Sequence, residues 1–249
     1  LELNEGQALH SVYTRGKYLN DGYWDHMALL TMAADHPRRI AILGSAAGTT
    51  SRTIAHYFPQ VRIDSVEIDP ELTRIGNELF DARAPQVHQY TGDARPWLQA
   101  RKASYDAILV DAYRQPYIPF YLTTREFFTL ARDRLSRGGL VAINVGHPPG
   151  SDQLEKTLAA TLRSVFGEGH VYRDVVDEFS TMLVATTSQV APGARLQAIT
   201  HDDWQIPALA QQIGADLRPA LRGGPIYTDD KAPVEWLIDA SFADLATTK

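Results

Sequence analysis

Arg39-Ile40-Ala41-Ile42-Leu43-Gly44-Ser45-Ala46-Ala47-Gly48 opens the stretch that decides the fold. The apolar run has the length and branching of a buried strand, and the glycine turn after it leads into a helix. Val61–Ile68 reads as the next strand, with Glu67 at its carboxyl end. A third, Val87–Tyr90, is followed by Gly92-Asp93-Ala94. A fourth, Tyr105–Val110, ends at Asp111. Ligands of open α/β sheets bind outside the carboxyl ends of the strands. Gly44, Glu67, Asp93 and Asp111 therefore share one crevice, and the crevice reads as a site for a nucleoside cofactor.

Working outward, helices separate these strands. Thr49–Tyr57 is the first crossover helix and Pro59 closes it. Asp69 is placed to cap the next helix, with Pro70 in its first turn. A short helix is expected over Pro96–Arg101, and another over Thr123–Leu135, ended by Gly138-Gly139. Leu140–Val145 is a fifth, apolar strand. Strands alternating with helices at this spacing imply right-handed βαβ units. A helix over Asp152–Val165 leads to His170–Val175 and Ser180–Thr186, whose short connection predicts an antiparallel pair at the sheet edge. The expected fold is α/β: a doubly wound, mostly parallel, seven-stranded Rossmann-like sheet of the class I methyltransferase type. Residues 1–22 read as a small N-terminal β-hairpin, residues 23–190 as the catalytic domain beginning with a helix over Tyr23–Ala34, and residues 191–249 as an extension with one helix, Ala208–Leu221.

Bulk properties narrow the partners. The formal net charge is -6, which gives no general attraction to nucleic acid or to an anionic membrane. There is no cysteine, which excludes disulfides and thiolate chemistry. His10, His26, His147 and His201 are scattered without a metal-ligand spacing, so no metal is expected. No apolar run of about 18 residues spans a membrane.

The glycine turn is G-x-x-x-G, whereas a dinucleotide site prefers G-x-G-x-x-G. Glu67, about 20 positions further on, suits ribose hydroxyls in either kind of site. Asp93 followed by Ala94 favours an adenosyl group: the carboxylate accepts from the exocyclic amine and the small residue leaves room for the ring.

On these strings, together with Val66-Glu67-Ile68-Asp69-Pro70, Tyr23-Trp24-Asp25-His26-Met27 and Glu126-Phe127-Phe128, the chain resembles the spermidine synthase family of aminopropyltransferases. The tail string Thr228-Asp229-Asp230 to Glu235 looks like a divergent bacterial branch, some members of which are fused to membrane segments. The resemblance implies S-adenosylmethionine or its decarboxylated form as co-substrate, a small amine acceptor, a cytoplasmic homodimer, Asp111 as general base and Tyr23 at the acceptor amine. It implies Gly44, Ala47, Gly48, Glu67, Asp93 and Ala94 around the donor, and Tyr113, Tyr117, Phe120 and Tyr121 as a lid. Two family carboxylates are replaced, by Ala47 in the glycine turn and by Arg114 after Asp111. An aspartate at position 47 would repel the carboxylate of intact S-adenosylmethionine, and Ala47 would tolerate it. A methyltransferase and a non-catalytic adenosyl-binding module therefore stay open beside the aminopropyltransferase. The tail acids Asp229, Asp230 and Glu235 are candidates for a rebuilt acceptor site, or for caps.

Overall fold

The computed structural model describes residues 1–3, 8–114 and 116–247. The chain opens with the short antiparallel pair β1 (Glu2–Leu3) and β2 (Ala8–Leu9), then α1 (Tyr23–Leu30). The turn expected between the two strands lies outside the described residues. Helix α1 tightens into a 3₁₀ turn over Thr31–Ala33.

The strands β3 (Arg39–Leu43), β4 (Arg62–Glu67), β5 (Val87–Thr91), β6 (Tyr105–Val110) and β7 (Leu135–Gly146) run parallel in the order β7-β6-β3-β4-β5. Between them lie α2 (Thr49–Tyr57), α3 (Pro70–Leu79), α4 (Ala94–Gln99) and α5 (Arg125–Asp133). Asp69 caps α3 as expected, its carboxylate accepting from Glu71 N–H at 2.8 Å. The chain runs outward from β3 to β4 and β5, then returns to the other side of β3 as β6. That reversal is the topological switch point, where the strand ends splay and leave a crevice. Gly44 leaves β3 and Asp111 leaves β6 on its two sides.

After α6 (Gln153–Phe166), the strands β8 (Val171–Val175) and β9 (Ser180–Thr186) form the antiparallel hairpin expected at the edge, with β9 paired to β7. The tail adds α7 (Pro192–Gln197), α8 (Gln205–Asp216), β10 (Arg218–Pro219) and α9 (Val234–Thr247). The main sheet thus has eight strands rather than seven, because the two residues of β10 pair with β8. Helix α8 ends at Asp216 and not Leu221, since Pro219 turns the chain into extended backbone. The tail holds three helices and not one.

Gly138-Gly139 does not end α5. The helix stops at Asp133 and both glycines lie inside β7, where the pairing with β6 is irregular. Gly138 has φ +75°, and a Cβ there would sit 2.2 Å from Asp35 Cγ, so a bulge with no side chain admits the preceding loop.

The central strands are apolar on both faces, as a covered parallel sheet requires. Ala41, Leu43, Ile108 and Val110 pack with Phe127, Phe128 and Leu158 on one side. Ile40, Ile42, Ala107 and Leu109 pack with Met27, Leu30 and Ile54 on the other. Leu196, Ile206 and Ile213 of the tail join the second layer, and Val234 and Ile238 join the first. No helix among the described residues is long and apolar enough to cross a membrane.

Candidate active site

A cleft of about 690 Å³ opens at the switch point. Gly44, Glu67, Asp93, Ala94 and Asp111 all line it, so one site gathers these five residues from four strand ends. Backbone bonds fix the ends to each other: Gly44 N–H donates to Val66 C=O at 3.0 Å, and Asp111 N–H to Leu43 C=O at 2.8 Å. Gly44 has no room for a side chain, since a Cβ would come 2.5 Å from Asp111 O and 2.6 Å from Ala112 N.

Glu67 is 8% exposed and braces the glycine turn. One oxygen accepts from Ser45 N–H at 3.1 Å and Ala46 N–H at 2.7 Å, and the other from Asp69 N–H at 3.1 Å. Ala46 holds φ +45°, a left-handed conformation that L residues avoid, and this strain lies in the cleft wall. Asp93 caps α4 by accepting from Arg95 N–H at 3.0 Å, while its second oxygen accepts from the Tyr121 hydroxyl at 2.9 Å. Burial, reinforced by that carboxylate, pushes the Tyr121 phenol up to about 12.

Ala47 and Gly48 do not reach the cleft. Ala47 is 1% exposed; its N–H donates to Ser11 Oγ at 3.0 Å, and its carbonyl would lie 2.6 Å from a Cβ on Gly76. Gly48, with φ +89°, serves the turn into α2. The N-terminal segment also covers the start of α2, where Val12 N–H donates to Thr49 Oγ1 at 2.9 Å. Position 47 is thus buried and off the cleft, and this geometry lends no support to the expectation that Ala47 tolerates the intact donor.

Asp111 lies at the inner wall of the cleft. Its Oδ1 accepts from Asn144 Nδ2 at 3.0 Å. Burial pushes its carboxyl up to about 7; hydrogen bonds from Asn144 and Tyr23 act in the opposite sense, and the negative charge of Glu67 adds to the rise. Tyr23, from the first turn of α1, is partly buried and faces Asp111. Burial, then the Asp111 carboxylate, raises its phenol well above 10.0. Tyr113 is locked in place: its hydroxyl donates to Asn144 C=O at 2.9 Å and accepts from Gly146 N–H at 2.6 Å.

The aromatic loop after Asp111 forms the outer wall, with Tyr113, Tyr117, Phe120 and Tyr121 all on the cleft. Two ties hold it to the tail. Tyr117 donates to Asp239 Oδ1 at 2.7 Å, and Arg95 donates both to Tyr121 C=O at 3.0 Å and to the two oxygens of Asp229 at 2.8 and 2.6 Å. Asp229 also accepts from Thr124 Oγ1 at 2.6 Å and does not line the cleft, so it acts as a structural clasp. Glu235 and Arg114 do line the cleft. His147 is turned away to Thr181 Oγ1, at 3.1 Å, while His10, passed over in the sequence, lines the wall. Asn144 was also missed; a lone amide inside the apolar run Leu140–Val145 was the available signal.

Comparison with known proteins identifies the family. A family model for the spermine/spermidine synthase domain matches residues 22–191. A probable polyamine aminopropyl transferase of Bifidobacterium longum (strain NCC 2705) is 32% identical over 261 residues, covering 96% of this chain and 58% of that protein. The chain spans between 45% and 58% of the length of three such curated relatives, about half. A probable spermidine synthase from Corynebacterium glutamicum ATCC 13032 superposes with a TM-score of 0.59 at 23% identity, covering 87% of this chain and 82% of that one. A spermidine synthase in complex with the transition state analogue AdoDATO gives 0.60 at 15% identity, covering 77% and 70%. Both structural likenesses concern the fold. By the match over residues 22–191, the chain belongs to the spermine/spermidine synthase family.

Proposed function

We propose that this chain transfers an aminopropyl group from decarboxylated S-adenosylmethionine to a small amine, with Asp111 as the general base. The observation that carries the reading is the place of Asp111: a carboxylate at the end of β6 on the cleft wall, fixed by Asn144 at 3.0 Å, with burial raising its carboxyl to about 7. Family membership and the activities for which its relatives are named support the reaction.

An amine acceptor arrives protonated, with a pKa of roughly 10, and only its neutral form attacks. Its nitrogen lone pair forms a bond to the propyl carbon on the sulfonium. The carbon–sulfur bond breaks, its electron pair stays on sulfur, and methylthioadenosine leaves. The amine proton goes to Asp111, and a base whose pKa lies near the working pH is well matched to that transfer. The adenosyl group lies along Gly44, Glu67, Asp93 and Ala94. Glu67 keeps lone pairs for ribose hydroxyls beyond those given to the turn, and Asp93 exchanges the Tyr121 hydroxyl for the adenine amine. The aromatic loop excludes water from the sulfonium.

The test is product analysis with both donors. Methylthioadenosine from the decarboxylated donor is expected, with kcat lowered about 10²–10⁴-fold in Asp111→Asn. S-adenosylhomocysteine as the product, or an unchanged kcat in the variant, would refute the reading.

A further inference from the structure

The reaction as drawn leaves one buried polar pair without a role. Asn144 stands near the end of β7 and Ser180 begins β9, its antiparallel neighbour, with Gly146 paired to Ser180. Each is 7% exposed. Ser180 Oγ donates to Asn144 Oδ1 at 2.8 Å, and Asn144 Nδ2 donates to Asp111 Oδ1 at 3.0 Å. The amide serves Asp111 in only one orientation, because a flipped Asn144 would set its oxygen against the carboxylate. The carboxylate accepts only, so it demands the Nδ2-inward orientation, and Ser180 braces that orientation by giving its hydrogen to Oδ1. The backbone is held as well, through the Tyr113 hydroxyl bridging Asn144 C=O and Gly146 N–H.

We propose that Asn144, braced by Ser180, is the positioning residue for Asp111: it fixes the carboxylate's rotamer and favours its charged form. This rests on the reading of Asp111 as the base. The other groups that face Asp111 are Tyr23 from α1, Glu67 from β4 and Tyr113 from the loop after β6. Tyr23 assists Asn144 by hydrogen bonding, Glu67 opposes it by charge, and Tyr113 stays neutral because burial raises its phenol. Without the amide, burial and Glu67 would face only Tyr23, and the carboxyl would stay protonated to higher pH. The hairpin edge of the sheet thereby enters the chemistry at the switch point.

Asn144→Leu removes the donor with little change of volume, and Ser180→Ala frees the amide to turn. The ¹³C shift of the Asp111 carboxyl, followed against pH, should show its titration rising by about one to two pH units in Asn144→Leu, the size of one hydrogen bond to a charged group. The rise should be smaller in Ser180→Ala and absent in Ser180→Thr. The acid limb of kcat/KM should move in parallel, with activity recovered at high pH and KM for the donor unchanged. An Asp111 titration unmoved in both Asn144→Leu and Ser180→Ala would overturn the proposal. So would a rate that falls by the same factor at every pH. Because the carbon titration needs no substrate, absence of turnover in the wild type would count against the transferase reading alone.

Discussion

Asp111→Asn should make the protein more stable at neutral pH while removing its activity. The carboxyl is pushed up to about 7 from an ordinary 3.8, chiefly by burial. In the unfolded chain it regains the ordinary value, so between the two the native state binds more protons. A folded pKa that is raised for an acid means stability falls as pH rises through this window and stays low above it. At about 1.4 kcal/mol per pH unit, a gap of about three units costs the wild type about 4 kcal/mol at pH 8 and less than about 2 at pH 5. Asparagine has the same shape, can still accept from Asn144 Nδ2, and has no charge to desolvate. Its advantage should therefore grow from near zero at pH 4 to about 2–4 kcal/mol at pH 8, the lower figure allowing for relaxation around the buried charge. Urea unfolding of both proteins at pH 4, 5, 6, 7 and 8 measures the difference directly. An advantage that does not vary with pH, or an asparagine variant less stable at pH 8, would refute the account of Asp111 as a base strained by burial.

Three further outcomes follow from the site. Gly44→Ala forces a Cβ within 2.5 Å of Asp111 O at φ +85°, which should cost about 2–5 kcal/mol from left-handed strain and overpacking; denaturation gives the loss, and calorimetry should show donor binding falling with it. Ala46→Gly relieves a φ of +45° worth about 1–2 kcal/mol, less about 0.4–1 for the freer unfolded chain, so the urea midpoint should stay level or rise; a loss above about 1 kcal/mol would show that Ala46 is not strained. The Arg95–Asp229 pair, with 22% and 43% of its side chains exposed, should be worth only about 1 kcal/mol in a double-mutant cycle; Arg95→Ala should nevertheless raise KM for the donor, since Arg95 also anchors Tyr121.

The donor side of the cleft was legible because each of its parts is a local signal. A glycine turn, an acid after an apolar run and a Gly-Asp-Ala string each mark one strand end, and register does the rest: Leu43 pairs with both Val66 and Val110, and Glu67 with Thr91. Strands aligned in this way must bring their ends together, so Gly44, Glu67, Asp93 and Asp111 meet without any further information. The burial of Ala47 was not legible, for the complementary reason. Its place in the turn is local, but its burial goes with backbone contacts to Ser11 and Gly76, both distant in sequence. Helix α9 was missed because Trp236 and Phe242 stay exposed while Val234 and Ile238 are buried, so its apolar residues do not share one face. What lifts Asp111 toward neutrality is non-local too. Burial and the charge of Glu67 raise its carboxyl, against hydrogen bonds from Tyr23 on the first helix and from an amide bonded to a serine 36 positions away. A base can therefore be named from one strand end, whereas the pH at which it works is set by the way the whole sheet closes around it.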